Sequence, residues 1–315
     1  MRRFAALILS FLLVLPALGH GYHGTEKPFL WMIGEDPPSF VYGTIHLPDE
    51  RVLALPEVVM DAFDAADALY TEIPMDMASQ MAIAPLVLLE GDQTLADILP
   101  EPLYARCDSF LQTRGMQMAM VGKMKVWALA AQIGLIDYLE QLQTTPALDS
   151  WLYQTASERG KELGALETAT YQVEVMDSIA LEDQIALLAD GLGDIIEGEA
   201  EGISPLEELI LAYLAGDAAE LFELMYATLE EDPALGERFL EALLYERNRG
   251  MAEAILLELE EDPDKVHFFA VGAAHAPGEK GVLPLLEEAG VKVRRLDAGD
   301  LEFVRERLPE VAGSR

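Results

Sequence analysis

Two Gly-x-x-His motifs, each at the end of an apolar run, could bind a metal ion or activate water. Tyr42-Gly43-Thr44-Ile45-His46 ends the first run, and Val271-Gly272-Ala273-Ala274-His275 ends the second, far downstream. Glycine lets the backbone leave a strand sharply. Imidazole is a common metal ligand and a usable base near neutral pH. The chain has 5 histidines, so a matched pair is informative. The alternative is that both histidines only satisfy loop carbonyls.

Glu72 is the carboxylate best placed to join these histidines, because it lies near the end of the strand-like run 68–73 that follows the first motif. Its alternative roles are a salt bridge or a helix cap. Two histidines and one glutamate form a common catalytic metal set with a position left for water. We therefore expect His46, Glu72 and His275 to bind a divalent metal ion, with Zn, Mn and Co all compatible.

Arg247 falls on an apolar stripe with helical spacing, and Asn248 borders it; the stripe contains Leu240, Leu244, Met251 and Ile255. An inward-facing arginine must meet an acid or an anion, since an unpaired buried charge is costly. Arg247 and Asn248 could orient a carboxylate ligand, anchor a substrate carboxylate or stabilise an oxyanion. An internal Arg–Glu pair is an equal alternative.

Two strand–helix–strand units are predicted to position these residues. The first has a hairpin over 30–33 and 39–42, then a helix from Pro56 and the strand 68–73. The second has a strand over 266–271, a helix through Val282 and a closing strand over 291–296. Such units imply parallel pairing with right-handed crossovers. Open α/β sheets bind ligands at the carboxyl ends of their strands, which is where both histidines would lie.

The region between the units is predicted to be mostly helical. Helical patterning covers 86–99, 116–136, 151–159, 181–196, 206–214, 218–229 and 235–259, and a strand-like stretch covers 163–167. The fold class is therefore α/β, with a central, largely parallel sheet and large helical insertions. No Gly/Ser or Pro linker separates independent units. We expect a single domain over 20–315, with insertions at roughly 76–160 and 172–260.

The first 19 residues have the pattern of a secretory signal peptide, with Arg2-Arg3 before an apolar stretch over 4–15 and a small-residue cleavage site ending at Gly19. We expect cleavage there, and a periplasmic or secreted protein without a membrane span in its mature chain. The single cysteine, Cys107, cannot form an intramolecular disulfide. It is expected to be buried and inert.

The charge of the chain excludes two classes of partner. Its net charge is −35 at pH 7, from 56 acidic and 21 basic residues. Such a surface repels nucleic acid and anionic lipid. The main interpretation of the acidic middle is solubility, and the alternative is attraction of cations or a basic substrate.

Four separated motifs resemble those of the TraB/GumN proteins, which include the Tiki peptidases. They are Tyr42-Gly43-Thr44-Ile45-His46-Leu47-Pro48-Asp49 with Glu72, Leu166-Glu167-Thr168 with Gln172, Glu246-Arg247-Asn248, and Ala270-Val271-Gly272-Ala273-Ala274-His275 with Gly278 and Gly281-Val282-Leu283. The resemblance implies an α/β fold like that of erythromycin esterase and related haem-uptake proteins. It also implies a metal-dependent peptidase with His46, His275 and Glu72 at its centre, supported by the catalytic-site residues Arg247, Asn248 and Glu167.

The leading hypothesis is thus an exported metal-dependent hydrolase, a Tiki-like peptidase with a peptide or protein substrate. One alternative is a non-catalytic periplasmic binding protein for a peptide signal, haem or a polysaccharide fragment. Another is a metal-independent esterase that uses the histidines as general bases.

Overall fold

A computed structural model describes residues 25–202, 204–226 and 233–308, so the expected signal peptide lies outside the described residues. The strands are β1 (Leu30–Ile33), β2 (Ser39–Thr44), β3 (Ala68–Thr71), β4 (Glu162–Ala165), β5 (His267–Gly272) and β6 (Val293–Leu296). The helices before β4 are α1 (Glu50–Leu53), α2 (Glu57–Ala65), α3 (Met77–Ile83), α4 (Leu95–Ile98), α5 (Glu101–Gln112), α6 (Met118–Val121), α7 (Val126–Leu135) and α8 (Leu148–Glu158). Those after it are α9 (Ala169–Ser178), α10 (Leu181–Glu201), α11 (Pro205–Ala215), α12 (Ala218–Tyr226), α13 (Pro233–Leu240), α14 (Glu246–Glu261), α15 (Val282–Glu288) and α16 (Leu301–Arg305), and the π-helical segment Glu241–Tyr245 joins α13 to α14.

The sheet has the strand order β4-β3-β5-β2-β1-β6. Its first four strands run parallel, and β1 is antiparallel to both β2 and β6. The predicted α/β class with a largely parallel sheet and helical insertions is confirmed. The prediction that the two strands of each strand–helix–strand unit pair with each other is wrong, however. In the first unit β5 lies between β2 and β3, and in the second β2 and β1 lie between β5 and β6. The two units interleave, and this interleaving places the two Gly-x-x-His strands side by side.

Helices cover both faces of the central strands. Every residue of β1, β2, β3 and β5 is buried, which explains why these segments are continuous apolar runs rather than alternating ones. Phe63 of α2 packs edge-on against Phe268 on one face, with ring centroids 5.4 Å apart. On the other face, the Tyr70 hydroxyl donates to the Glu258 carboxylate of α14 at 2.5 Å.

The helical region between β3 and β5 has its own hydrophobic cluster, built largely from α5, α7 and α10. Cys107 is fully buried in it, and burial raises the pKa of its thiol to about 11, consistent with an inert cysteine. No helix among the described residues is both long enough and apolar enough to cross a membrane.

The predicted helix over 86–99 is largely wrong. Only α4 is helical there, and Leu88 instead forms an antiparallel bridge with Met124. Gly91 adopts a positive φ of 55°, which suits a turn rather than a helix. The same bridge splits the predicted helix over 116–136 into α6 and α7. Tertiary backbone pairing here overrides local helical propensity.

Candidate functional site

Three adjacent parallel strands bring the predicted ligands together at their carboxyl ends. Glu72 directly follows β3, His46 lies two residues after β2, and His275 lies three residues after β5, the strand between them. Nε2 of His46 and Nε2 of His275 each lie 3.9 Å from Oε1 of Glu72. The His46 side chain is 25% exposed, whereas those of Glu72 and His275 are nearly buried. His46 therefore lies on the solvent side of the group.

Gly272 keeps the space between these three side chains free. Its N–H donates to Oε1 of Glu72 at 2.5 Å. A Cβ at this position would lie 3.0 Å from Oε1 of Glu72, 3.4 Å from Cδ2 of His275 and 3.5 Å from Nε2 of His46. The glycine of the second motif is thus needed for close approach, because any side chain would enter the centre of the site.

Asn248 orients His275. Its Nδ2 donates to the carbonyl of Lys280 at 2.8 Å, which turns Oδ1 toward Nδ1 of His275 at 2.6 Å. An amide oxygen can only accept, so Nδ1 carries the proton and the Nε2 lone pair faces the site. Burial lowers the pKa of His275 to about 3, which keeps the imidazole neutral. A neutral ring with an unprotonated Nε2 is the form that binds metals.

Asp149 takes the corresponding position beside His46. Its Oδ2 lies 3.2 Å from Nδ1 of His46, an ion-pair distance without hydrogen-bond alignment. Burial alone would lower the pKa of His46, but Asp149 and then Glu72 raise it to about 9. The two motif histidines thus have opposite electrostatic surroundings. The negative charges of Asp149 and Glu72, which keep a proton on His46, would also favour a metal cation at this place.

Arg247 connects the site to two buried acids. Its Nη2 donates to Oε2 of Glu72 and to Oε2 of Glu167, both at 2.7 Å, and its Nε donates to Oε2 of Glu167 at 3.0 Å. Nη1 lies 3.2 Å from Nε2 of His275. The Gln172 amide also donates to Glu72, at 3.1 Å. The inward-facing arginine expected from the helix stripe is therefore the centre of an internal Arg–Glu network.

The two acids of this network differ in their electrostatics. Burial would raise the pKa of Glu72, but the guanidinium of Arg247, the protonated His46 and the N–H of Gly272 lower it well below its usual range. Burial raises the pKa of Glu167, and the guanidinium of Arg247 offsets this increase only in part. Glu72 thus holds its negative charge to lower pH than Glu167 does, and it is Glu72 that faces the histidines.

The residues partly fit a divalent cation. Their donors are suitable, Gly272 leaves the centre open, and the 3.9 Å separations are close to the about 3.4 Å between ligands of a tetrahedral ion. Over residues 25–202, 204–226 and 233–308, however, no three His, Cys, Asp or Glu side chains are already arranged to hold a metal. Binding requires a small contraction, loss of the proton that His46 retains, and departure of Nη1 of Arg247 from Nε2 of His275.

A cavity of about 630 Å³ opens beside this group. Its polar end is formed by His46, Glu72, Arg247 and His275. Its remaining wall is mostly apolar and includes Met77, Met81, Met124, Trp127, Val173, Met176, Leu209, Met225, Leu243 and Leu244. Met77 and Met81 of α3 are 64% and 70% exposed. The polar cluster thus shares one cavity with a mostly apolar wall, part of which, on α3, is exposed.

The structure brings His46, Glu72, His275, Arg247 and Glu167 into one cluster. The sixth predicted site residue, Asn248, is fully buried and reaches the site only through His275. Sequence reasoning missed Asp149, and it assigned no role to Gln172. An acid in the first turn of a helix is common, so no local signal distinguished Asp149.

A sequence model of the TraB/PrgY/gumN family matches residues 29–295, and the chain belongs to that family. The family resemblance inferred from the four motifs is confirmed.

Among curated relatives, metalloprotease TIKI1 of Danio rerio is 29% identical over 86% of this chain and 63% of its own length. Metalloprotease TIKI1 of Homo sapiens is 27% identical over 86% of this chain and 62% of its own. This chain thus spans about three fifths of these relatives. An uncharacterized protein of Treponema pallidum is 24% identical over 90% of this chain and 88% of its own. No solved structure was found to match the chain.

Proposed function

We propose that this protein is a metal-dependent hydrolase that cleaves peptide bonds. The observation that carries the proposal is the convergence of two imidazole Nε2 atoms and one carboxylate oxygen around the space that Gly272 leaves open. The relatives named metalloproteases support the reaction class.

His46, His275 and Glu72 would hold the cation, which supplies Lewis acidity to the scissile carbonyl and the attacking water. The site is compatible with Zn, Mn or Co. Glu72 contributes a carboxylate held ionised by its neighbours. Asn248 keeps Nε2 of His275 available, so its role is to position a ligand rather than to contact the substrate.

Arg247 would stabilise negative charge that develops on the substrate oxygen. Its Nη2 and Nε are engaged by Glu72 and Glu167. Nη1, which faces Nε2 of His275 and the carbonyl of Leu243, is the donor that movement would release toward a substrate. Donors aimed at a developing oxyanion are typically among the largest contributions to acyl-transfer catalysis. Glu167 would hold the guanidinium in place.

The substrate we propose is a peptide or protein segment with large apolar side chains near the cleaved bond. The cleft beside the polar group is lined mainly by Met, Leu, Val and Trp side chains, and its volume of about 630 Å³ is in the range of ligand sites. Methionine side chains adapt to varied apolar shapes. The cleft therefore suits several related substrate sequences rather than a single one.

We also propose that the mature protein is one α/β domain, exported after cleavage near Gly19. The basic and apolar pattern of the first 19 residues supports export. N-terminal sequencing of the protein from periplasmic and culture fractions tests this: a mature end at position 20 supports it, and an intact Met1 in the cytoplasm contradicts it.

The activity is tested with the purified mature protein. We expect cleavage of an apolar-biased peptide library, loss of cleavage with a chelator, recovery on addition of Zn²⁺, Mn²⁺ or Co²⁺, and no cleavage by Glu72→Gln. A matched control is Glu258→Gln, an acid whose hydrogen bond to Tyr70 lies away from the cleft. Stoichiometric metal without peptide cleavage would instead support a binding protein.

A metal-independent esterase remains the second candidate because Nη1 of Arg247 occupies the lone pair of His275 on which a cation would bind. In that case the histidines would act as general bases, His275 after Nη1 of Arg247 moves from its Nε2 toward the substrate oxygen and His46 after losing its proton. Ester hydrolysis that survives exhaustive chelation would favour this candidate over the metallopeptidase.

A further inference from the structure

Helix α8 delivers a buried carboxylate to the side of His46 that faces away from Glu72. Asp149 is the second residue of α8, which packs against β3 and β4. The first turn of a helix favours a negative charge. The Asp149 residue is nevertheless only 7% exposed, and burial of a carboxylate without a charged partner is costly. Among the described residues its charged partner within ion-pair distance is His46.

A second observation marks the same place. Within the part of the chain that the structure describes, Oδ1 of Asp149, Nδ1 of His46 and Oγ1 of Thr44 are buried and have no hydrogen-bond partner. All three residues line a separate cavity of about 10 Å³. A polar cavity of roughly this size is near the minimum for one water molecule, which needs two to four polar partners.

We propose that Asp149 is a positioning residue for His46. Its carboxylate accepts a hydrogen bond from Nδ1–H of His46 and thereby turns Nε2 toward Glu72 and His275. One water molecule in the small cavity hydrogen-bonds to both Asp149 and Thr44. Asp149 would thus do for the first motif what Asn248 does for the second. A carboxylate behind a metal-binding imidazole fixes its ring and tautomer, and loss of such a partner typically weakens metal binding 10- to 100-fold.

The orientation of His46 is tested without any metal. In ¹⁵N-histidine-labelled protein, with His46→Gln used for assignment, we expect a downfield Nδ1–H resonance of His46 that exchanges slowly with solvent. Asp149→Ala should remove it, and Thr44→Val should shift it while the fold persists. Ser150→Ala, the next residue on α8 and equally buried, should leave it unchanged. A wild-type His46 without a protected Nδ1–H overturns the proposal, even if Asp149→Ala fails to fold.

Cation affinity gives the second readout, and this part rests on the proposed function. Titration with Co²⁺ should give a Kd 10- to 100-fold weaker for Asp149→Asn and Asp149→Ala than for wild type, with Ser150→Ala unchanged. A Kd within twofold of wild type in both Asp149 variants would contradict the positioning role. If wild type binds no cation, the proposed function fails, whereas the metal-free resonance still decides the role of Asp149.

Discussion

The two Gly-x-x-His motifs place their imidazoles alike but give them opposite partners. His46 faces the carboxylate of Asp149, and its pKa is raised to about 9. His275 faces the neutral amide of Asn248, and its pKa is lowered to about 3. The matched strands β2 and β5 therefore set position, whereas the inserted helices α8 and α14 set charge. Duplicated sequence at a strand end predicts where a side chain goes, not its protonation.

The largest effect should come from removal of either histidine. We expect His46→Ala and His275→Ala each to reduce peptide cleavage by more than the roughly 10²- to 10⁴-fold that loss of a general acid or base costs, because neither can replace the other as a ligand beside Glu72. Steady-state kinetics measures this. His267→Ala is the internal control, since this buried histidine lies at the opposite end of β5 and hydrogen-bonds the carbonyl of Asp262. A variant of one motif that keeps full activity would show that the motifs are not equivalent ligands.

The two motif glycines should fail in different ways. Gly272→Ala puts a methyl group among Glu72, His275 and His46, so it should weaken cation binding and cleavage while the fold remains. A Cβ at Gly43 would lie 2.8 Å from Cβ of Phe29 and 3.0 Å from Cα of Ala273. Gly43→Ala should therefore lower the free energy of unfolding by about 1–3 kcal/mol.

Chemical denaturation and calorimetric cation titration on both glycine variants separate these outcomes. If Gly272→Ala lost stability but kept cation affinity, the centre of the site would lie elsewhere.

Replacement of the amide beside His275 by a carboxylate tests whether the partner residue sets the charge of each motif histidine. Asn248→Asp gives His275 the environment of His46, so the pKa of His275 should rise from about 3 toward the neutral range. Cleavage should fall by about 10- to 100-fold, since the group that orients the ring of His275 has changed. NMR titration of His275 measures the shift, with Asn248→Ala as the variant that removes the hydrogen bond without adding charge. An unchanged pKa in Asn248→Asp would mean that burial alone controls this histidine.

The smallest effect should appear in the pH dependence of stability of the metal-free protein. A raised folded-state pKa means that His46 stabilises the fold below pH 6.5, and that this contribution is lost as the pH rises toward about 9. A lowered folded-state pKa means that His275 costs stability as the pH falls from 6.5 toward about 3.

Chemical denaturation over this pH range should show His46→Gln with a shallower alkaline slope and His275→Gln with a shallower acid slope. Identical slopes in both variants would remove the contrast between the motifs.

Much of the fold was accessible from the sequence because its strands are continuous apolar runs bounded by Gly and Pro. The hairpin β1–β2, the helix α2 and the edge strand β4 fall where the patterns predict them. The paired order of the sheet was not accessible, since interleaving of two units leaves no local trace. Nor was the bridge at Leu88, where long-range pairing overrides helical patterning.

The site residues likewise divide into those that the sequence could predict and those that it could not. Glu72 and the two histidines were found because each follows a recognisable strand, and Arg247 because a charge interrupts an apolar stripe. Asp149 was missed because its role depends on how α8 docks, and nothing within α8 itself encodes that. Residues contributed by strand ends are readable from sequence, whereas partners contributed by distant helices require the fold.

The most direct test of the account is equilibrium binding of Co²⁺ to the metal-free mature protein, compared with His46→Ala, Glu72→Ala and His275→Ala. We predict one ion per chain for wild type and a loss of that ion in each variant, with Glu258→Gln unaffected. Absence of binding in wild type, or one ion retained when all three ligands are replaced together, would contradict a shared metal site at the ends of β2, β3 and β5.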